Sequence, residues 1–412
     1  MKAINKHGVY LEQMKEPAIS RDIREYLSPK ICVLPTGNVR SDNLLGSRIT
    51  ANVPLFIGNE DDLTYFSPIN GIVRSVITLK DNHFGNSKYM FIENTFNNAE
   101  RNKKPRDISG ITPDEIISIA RKAAIVDDTD GVPLYKKLKL IKESGKSRLI
   151  INAIDDSPYV SSLIGPLIFK PDDVKNGIDL ALTATGCSDA EIYIYKHMGP
   201  IDVKLPLEIG GYNVLRVSGK YPVSKLLIND PSVPIIGSNA MIFLYRAVYY
   251  NMVQTSCFVT IAGECINNPI NVEVAIGTTI HELLDLVGII KNPHVILYGD
   301  SLTGFGIIDA DTPVLHSTRS ILCFNQTHEY NEYKCIGCGK CIDACPKKLL
   351  PYYIYKAFVS ENTEEVKKLK ADECIECGVC EYVCTSKINL SKLISNAKMK
   401  LKGDACHASK AD

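Results

Sequence analysis

Residues 335–346 read CIGCGKCIDACP, and residues 374–384 read CIECGVCEYVC. Both runs follow the spacing C-x2-C-x2-C-x3-C. The first supplies Cys335, Cys338, Cys341 and Cys345, and the second Cys374, Cys377, Cys380 and Cys384. Three thiolates at every third position wrap one corner of a [4Fe–4S] cubane, and the fourth cysteine of each run reaches across to the other cluster. The spacing therefore predicts one cluster on Cys335, Cys338, Cys341 and Cys384, and a second on Cys374, Cys377, Cys380 and Cys345. Structural zinc is the competing reading. It needs paired knuckles that close on one tetrahedral ion, a plan that two runs of four cysteines do not follow. Pro346 follows the first run, whereas Thr385 follows the second. Gly337, Gly339 and Gly378 let the backbone turn tightly between ligands.

The rest of the composition bounds the function. The chain has 412 residues, enough for two or three domains. Lys plus Arg equals Asp plus Glu at 47 each, so no overall charge points to nucleic acid or an anionic surface. The first twenty residues have no apolar core of a secretory signal, and stretches such as SNAMIFLYRAVYY are too short to span a bilayer. Fourteen cysteines in such a chain argue for metal or redox chemistry rather than disulfides. The expectation is a cytoplasmic protein that meets a membrane only through a partner.

Six cysteines fall outside the two runs: Cys32, Cys187, Cys257, Cys265, Cys323 and Cys406. Most read as buried small apolar residues. Cys187 in TGCSDAE and Cys265 in AGECINNP stand beside glycines in polar segments, and they are the candidate exposed redox thiols. Between the runs, LLPYYIYKAFVSENTEEVKKLKAD reads as helix, with Tyr353 and Ala357 facing the clusters. The lysine-rich segment SKINLSKLISNAKMKLKG reads as an amphipathic helix, either a solvated face or a docking surface for an acidic partner.

Upstream, ITPDEIISIARKAAIV carries a full helix start: Thr112 as cap, Pro113 at the first helical position and Glu115 closing a capping box. SRLIINAI and EIYIYK read as strands, so strand, loop and helix alternate in an α/β arrangement. FVTIAGECINNPINVEVAIGTTIHELLDLVG reads as a hairpin, then a helix capped by Thr279 and Glu282 and ended by Gly288, a β-grasp-like unit. YFSPINGIVRSVITL gives a turn at Pro68–Gly71 and an alternating strand. Its Asn70–Gly71 turn has no lysine to acylate, so it is scaffold rather than a swinging arm.

In this order the pieces resemble the RnfC component of the Rnf ferredoxin–NAD oxidoreductase along almost the whole chain. SPINGIV, VPLYKKL, LIINAIDDSPY, AGECINNPINVEVAIGTTIHELL, YGDSLTGF and ECGVCEYVCTSKI carry the resemblance. The middle part is also similar to the flavin- and NADH-binding subunit of respiratory complex I. The resemblance implies an α/β multidomain chain. Its parts would be a β-rich, barrel-sandwich-like scaffold over 1–98, a Rossmann-like α/β domain over 99–240 and a β-grasp domain over 241–325. A helical dicluster ferredoxin-like domain over 326–403 and a tail over 404–412 complete it.

The family places a glycine-rich phosphate loop ending in Phe-Pro-Thr where this chain has DDTDGVPLYKKL. Only Gly131 is left of the glycines, and Asp127, Asp128 and Asp130 bring negative charge to a phosphate site. At ~4 Å and an effective dielectric of ~20, each close pair of like charges costs about 4 kcal/mol. The family's Asn-Gly-Ala-Glu-x-Glu-Pro-Tyr becomes Asn152-Ala153-Ile154-Asp155-Asp156-Ser157-Pro158-Tyr159, so Ser157 replaces its second carboxylate. Gly131, Asn152 and Tyr159 are thus the remnants of a degenerate flavin pocket. The expectation is that NADH binding is lost and the FMN site is eroded, with the three aspartates forming a solvated turn. A metal at Asp127, Asp128 and Asp130 would lack further oxygen ligands.

Three functions follow. The first is an electron-transfer protein that takes electrons from a protein donor and passes them through two [4Fe–4S] clusters to a partner oxidoreductase. The resemblance adds that such proteins accompany amino-acid reductases of anaerobic fermenters, notably D-proline reductase. The second is a working NADH–flavin dehydrogenase, as the RnfC component of an Rnf-type ferredoxin–NAD oxidoreductase. The third is a scaffold whose clusters only hold the C-terminal part together.

Overall fold

The computed structural model describes residues 3–37, 44–57, 63–79, 88–97, 104–199, 204–325 and 332–408. The central element is a mostly parallel sheet. Its strands run in the order Ala3–Asn5, Tyr212–Gly219, Asp189–Tyr195, Arg148–Ala153, Ile235–Gly237. The strands are rich in Ile and Val because helices cover them. Ile151, Ile192 and Ile236 are fully buried, together with Leu134, Leu138, Ile178 and Ile242 from the covering helices.

Local chemistry sets the boundaries of those helices. Helix Pro113–Lys122 begins with the capping box expected from the sequence, Thr112 and Glu115 each bonding the other's backbone N–H. Helix Pro171–Thr185 ends at Gly186, whose φ of 76° is the left-handed conformation of a helix stop. It crosses helix Ser238–Tyr250 at Gly177, where a Cβ would stand 2.0 Å from the Met241 carbonyl oxygen. Only glycine permits that approach.

A second sheet has the order Phe305–Gly306, Val295–Tyr298, Ser320–Phe324, Ser256–Ala262, Ile270–Ala275, Arg24–Tyr26. The expected hairpin is its antiparallel pair Ser256–Ala262 and Ile270–Ala275, and helix Ile280–Val287 runs from Thr279 to Gly288. The N-terminal region adds a four-stranded sheet, Ile31–Pro35, Lys88–Asn94, Gly71–Thr78 and Arg48–Ile49, and a two-stranded pair, Pro54–Ile57 with Thr64–Phe66.

Two boundaries differ from the sequence reading. Strand Ala3–Asn5 joins the central sheet and Arg24–Tyr26 joins the second, so residues 1–98 do not form one unit. The division at 240/241 cuts helix Ser238–Tyr250, whose Ala240, Met241, Ile242, Leu244 and Val248 belong to the central core. An apolar helix buried on several sides carries no periodic signal of where it belongs.

The C-terminal part is helical: Lys340–Ala344, Pro351–Val359, Thr363–Lys368, Val379–Tyr382 and Leu390–Ala408. The segment between the cysteine runs is broken after Val359, where Glu361 takes φ 55° and Asn362 caps the next helix. Ala357 is buried as expected, but Tyr353 is 53% exposed and faces away from the core. Residues 409–412 and the side chain of Cys406 lie outside the described residues. Among the described residues no helix is long and apolar enough to cross a membrane.

Candidate functional site

The two cysteine runs fold as an internal pair. Gly339 and Gly378 stand at equivalent places, φ 73° and 77°, and each opens a short helix carrying the third cysteine of its run. The Gly337 N–H points at Cys335 Sγ (3.4 Å), as the Glu376 N–H does at Cys374 Sγ (3.4 Å). Leu349 N–H approaches Cys345 Sγ at 3.4 Å, and Ile388 N–H approaches Cys384 Sγ at 3.5 Å. Backbone donors aimed at sulfur are what cluster thiolates require.

The thiols gather in crossed sets. Cys345 of the first run lines one cavity with Cys374, Cys377 and Cys380 of the second, closed by Leu349, Ile354 and Ile394. Cys341 lies within electrostatic reach of Cys335 and Cys384, and Cys338 Sγ is 3.7 Å from the hydroxyl of Thr385. Among the described residues no three His, Cys, Asp or Glu side chains close on a point suited to a single ion. Cys345, Cys374, Cys377 and Cys380 instead share the lining of one cavity. Burial pushes the Cys377 thiol up to about 11 and raises Cys374 and Cys380, with neighbouring thiols adding to the effect. As free thiols they hold their protons, so metal binding there releases them.

The two sets differ in setting. Cys338 is exposed, beside Ile336 at 73% exposure and Tyr333 at 63%. The other set faces the body of the protein. Tyr221 Oη donates to the Cys377 carbonyl at 3.0 Å, Lys225 Nζ to the Glu376 carbonyl at 2.9 Å, and Gly378 packs against Leu302. From the C-terminal helix, Lys398 turns inward and donates to the Cys374 carbonyl at 2.6 Å rather than joining a solvated face.

The aspartate loop departs from the sequence reading. Asp127 and Asp128 are 0% and 6% exposed, so this is not a solvated turn. Asp127 takes the position of an anion at a helix start. Its carboxylate accepts from the Gly237 N–H (2.8 Å) that begins helix Ser238–Tyr250, from Thr129 N–H and Oγ1, and from Lys137 Nζ (2.6 Å). That is the geometry by which helix N-termini hold phosphate. Burial alone would raise Asp127, but Lys137 and these donors hold it below the usual carboxylate range. Lys137 also binds Asp130 at 2.8 Å. The like-charge penalty expected from the sequence is thus offset by a cation and by backbone donors.

The second loop is filled in the same way. Asp155 accepts from the N–H groups of Leu163 and Ile164 (3.0 Å each) and pairs with Arg319. Asp156 accepts from the N–H groups of Val223 and Ser224, capping helix Val223–Ile228. The N-terminal segment closes the space. Gln13 bonds Asp156 and Tyr159 through its side chain and carbonyl, and the fully buried Lys15 donates to the carbonyls of Ser157 and Val160 (2.9 Å to the latter). Burial lowers Lys15 to about 8, against the pull of Asp155 and Asp156.

Asp128 is the acid without a cation of its own. Burial pushes it up to about 7, with Arg319 opposing. Its Oδ1 has no donor, nor does Oδ1 of Asn239, whose amide bonds Asp128 Oδ2 (2.7 Å) and the Ser162 carbonyl (3.0 Å).

The remaining candidates fall as follows. Gly131 keeps φ 74° in the turn. Asn152 is buried and bonds Ser224 Oγ (3.0 Å) and the Ile154 N–H. Tyr159, at φ 66°, packs edge-on to Phe324. Cys187 and Cys265 are 6% and 0% exposed, so neither is an exposed redox thiol. Cys187 donates to the Lys146 carbonyl, and burial raises the Cys265 thiol. Their flanking glycines suggested open loops, but the adjoining strands bury both. Sequence reasoning missed Lys15, Tyr221, Lys225 and Arg319, which reach the site only through tertiary contacts.

Residues 334–388 match the family of 4Fe-4S dicluster domains, and residues 258–295 match the SLBB domain family. The chain is 24% identical over 389 residues to the C subunit of the ion-translocating oxidoreductase complex from Buchnera aphidicola, covering 89% of this chain and 82% of that protein. It is 28% identical over 297 residues to the C subunit of the Vibrio cholerae complex, covering 64% of this chain and 37% of that one. With the C subunit of the Clostridium ljungdahlii proton-translocating ferredoxin:NAD(+) oxidoreductase complex it shares 26% over 259 residues, covering 58% and 57%. It thus spans about a third to a little over half of the last two relatives. Among solved structures, NAD+-reducing [NiFe]-hydrogenase in its H2-reduced state gives a TM-score of 0.45 at 12% identity, covering 66% of this chain and 60% of that chain. The chain thus carries a 4Fe-4S dicluster segment and, along most of its length, resembles the C subunits of ion-translocating oxidoreductase complexes.

Proposed function

We propose that this chain is an electron-transfer component of an Rnf-type oxidoreductase assembly, with two [4Fe–4S] clusters and a nucleotide pocket occupied by its own side chains. The observation that carries the relay is the crossed gathering of Cys345 with Cys374, Cys377 and Cys380 in one cavity. Cys384 would complete the other set with Cys335, Cys338 and Cys341. When bound, such a cluster takes up and releases one electron. The residues around it supply the ligands, exclude water on the Ile354 and Ile394 side, and leave the Cys338 edge open to a protein partner. Membrane association would come through that partner.

The Buchnera and Clostridium relatives are components of ion- and proton-translocating oxidoreductases, which favours an Rnf-type setting over a proline reductase. The ferredoxin:NAD(+) activity named for the Clostridium complex also keeps a second reading in view, a working NADH site. Against it stand the buried Asp127–Lys137 pair, the Asp155–Arg319 pair and Lys15, which fill the two loops that would hold a nucleotide.

Single-cysteine variants test the relay. After anaerobic reconstitution, Cys345→Ala and Cys374→Ala should lose the same electron paramagnetic resonance signal, while Cys384→Ala and Cys335→Ala lose the other. Loss of one signal by Cys345→Ala and Cys335→Ala together would overturn the crossed assignment.

A further inference from the structure

Although the two thiol sets sit in equivalent loops, their surroundings are not equivalent. In the second run three backbone carbonyls accept from side chains of other elements: Cys374 from Lys398, Glu376 from Lys225 and Cys377 from Tyr221. Lys398 also lies 3.7 Å from the Glu376 carboxylate, so much of its charge is answered there. Lys225 is different. Its contacts are the Glu376 carbonyl and the Thr303 hydroxyl (3.3 Å), and among the described residues it pairs with no carboxylate. Its ammonium sits on the backbone carbonyl immediately before Cys377. At the corresponding place in the first run the nearby lysine is Lys340, an exposed residue that water and salt screen.

Lys225 is held in place from both ends. It stands on helix Val223–Ile228, whose first N–H groups are capped by buried Asp156. Just before that helix, Tyr221 is tied to Val9 by backbone bonds in both directions. An ammonium that is fixed and half-buried acts more strongly on nearby charge than a mobile exposed one.

We infer that Lys225, assisted by Tyr221, tunes the cluster held by Cys345, Cys374, Cys377 and Cys380 to accept an electron more readily than its partner. Reduction adds one electron, supplied by the protein donor, to an already anionic cluster. A fixed cation and a hydroxyl donor on its loop stabilise that added charge. The electron therefore rests on the set that faces the body of the protein, and the exposed Cys338 set is the lower-potential exchange point. Lys225 and Tyr221 are positioning residues here, acting through the loop and its field.

This inference rests on the two-cluster reading, which iron and sulfide content tests separately. The experiment is an anaerobic potentiometric titration of the reconstituted full chain, followed by electron paramagnetic resonance. Lys225→Gln should move one of the two reduction waves to lower potential, a fall of roughly three- to tenfold in its reduction equilibrium constant. The other wave should stay in place, and Lys225→Arg should restore the first. Tyr221→Phe should move the same wave in the same direction by less, and it decides the matter if Lys225→Gln fails to retain iron. Waves that stay fixed in these variants, or that move together, would overturn the inference. A wild-type chain without clusters would give no waves and would fail the two-cluster reading instead.

Discussion

Replacing Asp128 by asparagine isolates one consequence of burying acids in this loop. The Asp128 carboxyl is held at about 7 against an ordinary 3.8, because burial disfavours its charge more than Arg319 favours it. A raised carboxyl binds more protons in the folded chain than in the unfolded one over that interval. Stability must then fall as pH rises from about 4 to about 7, and level off above. Three pH units at ~1.4 kcal/mol each set the full effect at about 4 kcal/mol, an upper figure for a group that can relax. An asparagine at this position carries no such charge and keeps an oxygen to accept from the Asn239 amide. Wild type should therefore already be somewhat less stable than Asp128→Asn at pH 5, and its deficit should grow as pH rises. At pH 8 the variant should be the more stable, by up to about 5 °C in melting temperature for a chain of this size. Anaerobic thermal melts at half-unit steps between pH 5 and 8.5 give the comparison. A stability difference that does not change with pH, or a variant weaker at pH 8 than at pH 5, would show Asp128 to be ionised and well paired, and the reasoning would fail.

The ion pairs make the opposite kind of prediction. Lys137→Met leaves Asp127 buried beside Asp130 without its cation, and chemical denaturation should register a loss of about 3–5 kcal/mol. Arg319→Met strands Asp155 and should lose a similar amount, whereas the double variant Arg319→Met with Asp155→Asn should recover much of it. Gly177→Ala pushes a methyl group against the Met241 carbonyl and should destabilise the central domain by at least ~1–3 kcal/mol in urea unfolding, without altering cluster content. Oxidant labelling of the cluster-loaded chain should leave Cys187 and Cys265 unmodified under native conditions, as read by peptide mass analysis.

What was legible in the sequence was local. The Thr112–Glu115 capping box and the hairpin before Thr279 each depend on residues a few positions apart, and each stands where the spacing placed it. The fate of the aspartates was not local. Whether Asp127 is solvated or buried depends on Lys137, Gly237 and the helix that Gly237 begins, more than a hundred residues away in the last case. Asp155 is answered by Arg319 from the loop before strand Ser320–Phe324, and Ser157 by Lys15 from the N-terminal segment. No window of sequence contains both partners. The same limit explains Cys187 and Cys265, whose glycine neighbours suggest open loops while the burial comes from adjoining strands. It also explains Lys225, which reads as an ordinary helix lysine until the cluster loop is placed against it.

The buried Asp127–Lys137 and Asp155–Arg319 pairs and Lys15 join these observations, and the proposed function rests on their keeping a nucleotide out of the two loops. The most direct test is an anaerobic titration of the reconstituted chain with NADH, following cluster absorption, with dithionite as the positive control. The account predicts full bleaching by dithionite and an unchanged spectrum with NADH, both with and without added FMN. Bleaching by NADH would contradict it, because a nucleotide would then have to displace Lys15 and the Asp127–Lys137 pair and find a working site beneath them.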